Sequence, residues 1–126
     1  MQPSLQQFAG QQYLNLETFR KNGQSMPTPV WFVQAGEVLY VRTVAGSGKV
    51  KRINNNAQVN VMPCGQNGEP LGTWVPARAR ELTDAATYAQ VNGLVIAKYG
   101  EMAQMFESQA KARGQHYTVI EIRLEE

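Results

Sequence analysis

Two prolines spaced two apart, Pro27 and Pro29, constrain this chain more than any other feature. They stand in the stretch from Met26 to Val33, which otherwise reads as a strand. Residues two apart in a strand direct their backbone groups to the same side, so both missing amides fall on one side. That side must be an edge, a bulge or a surface that faces a ligand. Something other than a neighbouring strand is expected beside it. Further on, Leu39-Tyr40-Val41-Arg42-Thr43 leads through Val44-Ala45-Gly46 into Ser47-Gly48-Lys49-Val50-Lys51-Arg52. Ser47 suits a helix N-cap, and the lysines and arginine concentrate positive charge where the first helical amides have no partner. Such a helix start suits a phosphate. Lys49 and Arg52, three apart, share a helix face, whereas Lys51 lies well round the helix.

The remaining pattern is mainly β. Leu14, Leu16 and Thr18 alternate with Asn15 and Glu17 in a half-buried strand over Tyr13 to Phe19, and Asn22-Gly23 marks a hairpin into the proline strand. With the apolar run Val38 to Val41 these strands are expected to form a meander. Val50 and Ile53 face the core from a short helix that Asn54, Asn55 and Asn56 end. A fourth strand starts at Val59 and Val61. The turn-rich stretch Gly65 to Pro70 precedes a fifth strand, Leu71 to Leu82, in which Pro76 predicts a bulge or an edge. Thr83-Asp84 opens a helix carrying Tyr88, Val91 and Val95. Past Gly100, Met102, Met105, Phe106 and Gln109 repeat the helical spacing until Gly114. His116 to Leu124 closes the pattern as a strand with Thr118, Ile120, Ile122 and Leu124 on one face. Residues 1–12 predict a short surface helix or an extended arm. Strands around a late helical pair, without regular βαβ alternation, indicate an antiparallel barrel with peripheral helices.

A chain of 126 residues suits one domain, 1–126, with one core. Its net charge of +2 is too balanced for a protein that coats nucleic acid or an anionic membrane, so any basic patch is local. The single cysteine, the start without a signal-peptide pattern and the lack of an apolar run of roughly 18 to 20 residues predict a soluble cytoplasmic protein. Gly46-Ser47-Gly48-Lys49 is not a nucleotide-binding loop of the pattern G-x-x-x-x-G-K-S/T, because Thr43 holds the first glycine position and Val50 follows the lysine. One histidine, His116, and one cysteine, Cys64, give no metal-ligand cluster. With no G-x-S-x-G nucleophile elbow either, no catalytic residue is assigned. A bound cofactor is expected to carry any difficult chemistry.

The blocks Thr28-Pro29-Val30-Trp31-Phe32, Leu39-Tyr40-Val41-Arg42-Thr43 and Ser47-Gly48-Lys49-Val50-Lys51-Arg52, in this order and spacing, resemble the pyridoxamine 5'-phosphate oxidase-like flavin and deazaflavin proteins. The order of elements extends the resemblance over about residues 8–124. It implies an antiparallel, Greek-key-like split β-barrel that binds its cofactor, FMN or the deazaflavin coenzyme F(420), at a homodimer interface. It further implies that the backbone of Thr28, Pro29, Val30 and Trp31 lies along the cofactor ring. Thr43, Ser47 and Lys49 hold the phosphate, with Arg42, Gly48, Lys51 and Arg52 as further cofactor contacts. The chain departs from the oxidase proper, which has arginine at the positions of Thr28 and Gly48 and a longer substrate-binding C-terminal region. A reductase that transfers hydride between the cofactor and a small organic substrate is therefore expected, rather than a pyridoxamine phosphate oxidase. The alternative is a non-catalytic flavin or haem carrier or sensor, for which His116 is the sole histidine ligand.

Overall fold

The computed structural model describes residues 3–125. The chain runs α1 (Pro3–Gln6), β1 (Tyr13–Phe19), β2 (Ser25–Trp31), β3 (Val33–Ala35), β4 (Val38–Val44), α2 (Gly48–Asn55), β5 (Gln58–Cys64), β6 (Val75–Leu82), α3 (Ala85–Tyr99), α4 (Glu101–Ala112) and β7 (Tyr117–Leu124). The seven strands form one antiparallel sheet in the order β2-β1-β5-β6-β7-β4-β3. The sheet curls round a core made of Leu14, Leu16, Leu39, Val41, Val59, Val61, Ala77, Ala79, Ile120 and Ile122, with Val50 and Ile53 of α2 closing it. This is a split β-barrel, mainly β with peripheral helices.

Pro27 and Pro29 lie in β2, which has β1 as its single strand partner and forms one edge of the sheet. The edge that the proline spacing demanded is therefore present. The expected meander is not. The strand read as continuous from Met26 to Val33 breaks at Phe32, and its two parts end at opposite edges of the sheet, β2 beside β1 and β3 beside β4. The break is held by α3. Tyr99 Oη accepts from the Phe32 amide at 3.1 Å and lies 3.0 Å from the Phe32 carbonyl, which also accepts from Lys98 Nζ at 2.8 Å. Both backbone groups of a residue outside any ladder are thus satisfied, and the Phe32 ring sits in the core against Phe8, edge to face at 5.8 Å. Leu5 and Phe8 make the N-terminal arm part of the core, which the glutamine-rich composition hid.

Other expectations need correction. The fifth strand begins at Val75 rather than Leu71. Pro76 is neither at a bulge nor on an edge: it is the second residue of the central strand β6, opposite the end of β7, where its carbonyl accepts from the Glu125 amide at 2.8 Å. Its missing amide removes one terminal bond from the ladder. Both late helices form, with Asp84 capping α3 through the Thr87 amide at 2.9 Å and Gly100, at φ 70°, separating α3 from α4. On α4, however, Ala103 and Ala110 face inward while Met102 and Met105 are about half exposed. The helices pack closely on the outer face of the sheet, where small residues permit approach, in a second apolar cluster with Val33, Val91, Val95 and Val119.

Burial around the Phe32 break also perturbs Lys98. Its Nζ lies 3.8 Å from the Phe32 ring centre, and burial lowers its pKa to about 8. Between that value and the ordinary lysine value the unfolded chain binds more protons than the folded one, so stability rises with pH. Urea midpoints are expected to increase from about pH 8 to about pH 9.5, and Lys98→Met should flatten that rise.

Candidate phosphate cradle

At one end of the barrel three elements bring hydroxyls and cations together. Thr43 is the last residue but one of β4, Ser47 is the N-cap residue of α2, and Lys49 and Arg52 follow on that helix. Lys49 Nζ donates to Thr43 Oγ1 at 3.1 Å. Arg52 Nε donates to Thr18 Oγ1 of β1 at 2.7 Å, and Thr18 Oγ1 in turn lies 3.4 Å from the Met26 carbonyl of β2. A β-carbon added at Gly48 would lie 2.8 Å from Arg52 Nη1, so the guanidinium folds back over the first turn of the helix. Lysine, arginine and the positive end of α2 thus meet in one place. Among the described residues, neither side chain forms an ion pair with a carboxylate. Burial, and next the charge of Arg52, push the Lys49 pKa below its usual value.

Ser47 completes the arrangement. Its backbone is extended, as an N-cap requires, yet its side chain makes no capping bond, and Oγ is buried without a partner. An orphaned hydroxyl, two unpaired cations and free helix amides are the donors that a phosphate takes. The fit to a phosphate-bearing group is therefore good on the residues themselves.

Not every residue singled out from sequence joins this set. Lys51 is exposed on another side of α2. Arg42 alternates with Thr43 and so points to the outer face, where it donates to Asn92 Oδ1 at 2.7 Å and the Ala103 carbonyl at 3.1 Å and lies over the Tyr117 ring at 4.5 Å. Arg42 fastens α3 and α4 to the sheet rather than facing the cradle. In β2, Thr28 pairs with Leu16 and so faces inward, on the side of Thr18, as does Val30, which packs against the core. Pro29 and Trp31 face outward, and the Trp31 ring stacks on Tyr99 at 4.1 Å. Trp74, the second tryptophan, is exposed in the loop before β6. His116 is exposed beside a pocket of about 140 Å³ lined also by Tyr88 and Glu107. Thr18 is the residue that the sequence reading missed. Its hydroxyl on the apolar face of β1, in line with Leu14 and Leu16, was the available signal.

The curled antiparallel sheet with its peripheral helices defines the class of split β-barrel proteins. The sequence pattern of the pyridoxamine 5'-phosphate oxidase family matches residues 1–126, and the chain belongs to that family. No curated protein matches it. Solved structures with the same fold include the heme storage protein HutZ of Vibrio cholerae (TM-score 0.74, 19% identity, 96% of this chain and 87% of that chain). They also include a putative pyridoxamine 5'-phosphate oxidase from Listeria innocua (0.66, 16%, 97% and 90%) and an FAD-binding protein from Mesorhizobium loti (0.64, 18%, 96% and 84%).

Proposed function

We propose that this protein binds a flavin-type cofactor, FMN or the deazaflavin coenzyme F(420), by its phosphate, and that it is a reductase acting on a small organic substrate. The observation that carries the reading is the buried Ser47 Oγ, without a hydrogen-bond partner among the described residues, beside two cations that form no ion pair among them. Such a cofactor, when bound, supplies hydride transfer. The chain's own contribution is binding and orientation: Ser47, Lys49, Thr43 and Arg52 hold the phosphate, and the unpaired edge of β2 from Thr28 to Trp31 offers backbone groups to the ring. Family membership and the FAD-binding protein of the same fold support a flavin. The haem reading has less support, because the pocket beside His116, about 140 Å³, is below the roughly 300 to 1,000 Å³ usual for ligand sites. Absorbance of the purified protein with added FMN and added coenzyme F(420) tests the proposal. A bound flavin or deazaflavin band supports it, and a Soret band without either would replace it by the haem carrier.

The assembly belongs to the same proposal. β2 and β3 end the sheet with one strand partner each, and Met102 and Met105 of α4 expose apolar surface. Light scattering is expected to give a homodimer of about 28 kDa, twice the 14.0 kDa chain. A monomer at micromolar concentration with cofactor bound would remove the dimer from the account.

A further inference from the structure

The outer face of β6 and β7 carries a second concentration of cations, apart from the cradle. Arg78 and Arg80 alternate with Ala77 and Ala79, which face the core with α2, so their side chains leave the sheet on the opposite side. In register, Arg80 stands opposite Glu121, and Arg78 stands directly opposite Arg123. Glu121 is buried, at 5% exposure, and both neighbours grip it. Arg80 donates Nε and Nη2 at 2.8 and 3.3 Å, and Arg123 does so at 3.1 and 3.5 Å. The Arg78 side chain has no hydrogen-bond or ion-pair partner among the described residues. Three guanidinium groups thus stand on this face with one buried carboxylate, which pairs with two of them and leaves Arg78 without a counter-charge among the described residues.

Like charges directly opposite on neighbouring strands are unfavourable, and in the Arg78–Arg123 pair only Arg123 has an ion-pair partner, Glu121, among the described residues. The arginines also border a concavity of about 360 Å³, lined besides by Ala57, Ala79 and Glu121. That volume lies within the range of small-molecule sites. The side chains of Arg80 and Arg123 remain 66% and 62% exposed, and their Nη1 groups are not used in holding Glu121, so these are available to a ligand. Guanidinium forks match the planar geometry of carboxylate and the oxygen pairs of phosphate.

We propose that this concavity on the outer sheet face is a binding site for a small organic dianion, held between Arg78 and Arg123 with Arg80 at its side. The shared chemistry is two negative charges on a compact body, and a dicarboxylate and a phosphate ester both provide it. The site is independent of the flavin reading, since it lies on the other face of β6 from α2.

Nitrogen-detected NMR of the arginine side chains, on the full chain, tests it with succinate and with inorganic phosphate as separate probes. At least one probe is expected to shift the Arg78 and Arg123 signals saturably, and the more effective one tells carboxylate from phosphate. In the exposed double variant Arg78→Gln with Arg123→Gln, the Arg80 response should weaken roughly tenfold or more. The backbone spectrum of that variant checks that it folds. Lys49→Ala should leave the Arg78 and Arg123 shifts unchanged. Absence of saturable shifts with both probes, an unaltered Arg80 response in the double variant, or loss of the response in Lys49→Ala would each overturn the proposal.

Discussion

Lys49→Ala is expected to weaken FMN binding by about 1.5 to 3 kcal/mol, roughly ten- to more than a hundredfold in Kd, while the barrel stays folded. Among the described residues Lys49 Nζ has one hydrogen-bond partner, the neutral Thr43 hydroxyl. The pKa of Lys49 is lowered by burial and then by Arg52, which means that the folded chain holds this charge against a cost. A phosphate reverses that balance by adding an opposite charge at short range. Removing the ammonium leaves the phosphate with Ser47, Arg52 and the helix amides, so binding weakens without vanishing. Stability of the free protein should change little, because a half-buried cation without a counter-charge is lost. Fluorescence titration with FMN measures the effect. An unchanged Kd would take Lys49 out of the site.

Phe32→Ala is expected to destabilise the fold by about 3 to 5 kcal/mol, the range for removing a buried aromatic ring. Phe32 is 1% exposed, packs edge to face on Phe8, and stands at the point where the chain leaves one sheet edge for the other. The substitution opens a cavity beneath the N-terminal arm and removes the ring face over which Lys98 sits. A domain of this size has a total stability of about 5 to 15 kcal/mol, so a large share of it goes. Urea unfolding should show a much lower midpoint with a similar slope. Tyr99→Phe probes the same break through the backbone: it leaves the Phe32 amide without its acceptor, at a cost of about 1 to 3 kcal/mol.

Much of this architecture was legible because single residues forced it. Pro27 and Pro29 demanded an unpaired side, and β2 is an edge strand. Asp84, Gly100 and the spacing of Val91 and Val95 fixed α3. The helix start at Ser47 and the nearness of Lys49 and Arg52 on α2 were legible too, since local spacing decides which side chains of one helix meet. What was hidden depends on contacts distant in sequence. The break at Phe32 has no glycine or proline to mark it; it is held by Tyr99 and Lys98, more than sixty residues away. The side taken by Arg42 follows from alternation with Thr43, but its use as a tie to Asn92 and Ala103 required the position of α3 and α4. On α4, methionine spacing pointed to the wrong face, because close packing on the sheet favours Ala103 and Ala110. Thr18 joined the cradle only once β1 was placed beside α2.

The phosphate cradle is tested most directly by comparing FMN with riboflavin, which has the same ring and no phosphate, on the native chain and on Lys49→Ala. FMN should bind the native protein at least roughly tenfold more tightly than riboflavin, as charge-assisted hydrogen bonds to the phosphate require. In Lys49→Ala that preference should shrink, with riboflavin affinity unchanged. Equal affinities of the native protein for the two, or a preference that Lys49→Ala leaves intact, would contradict the assignment of the cradle to a cofactor phosphate.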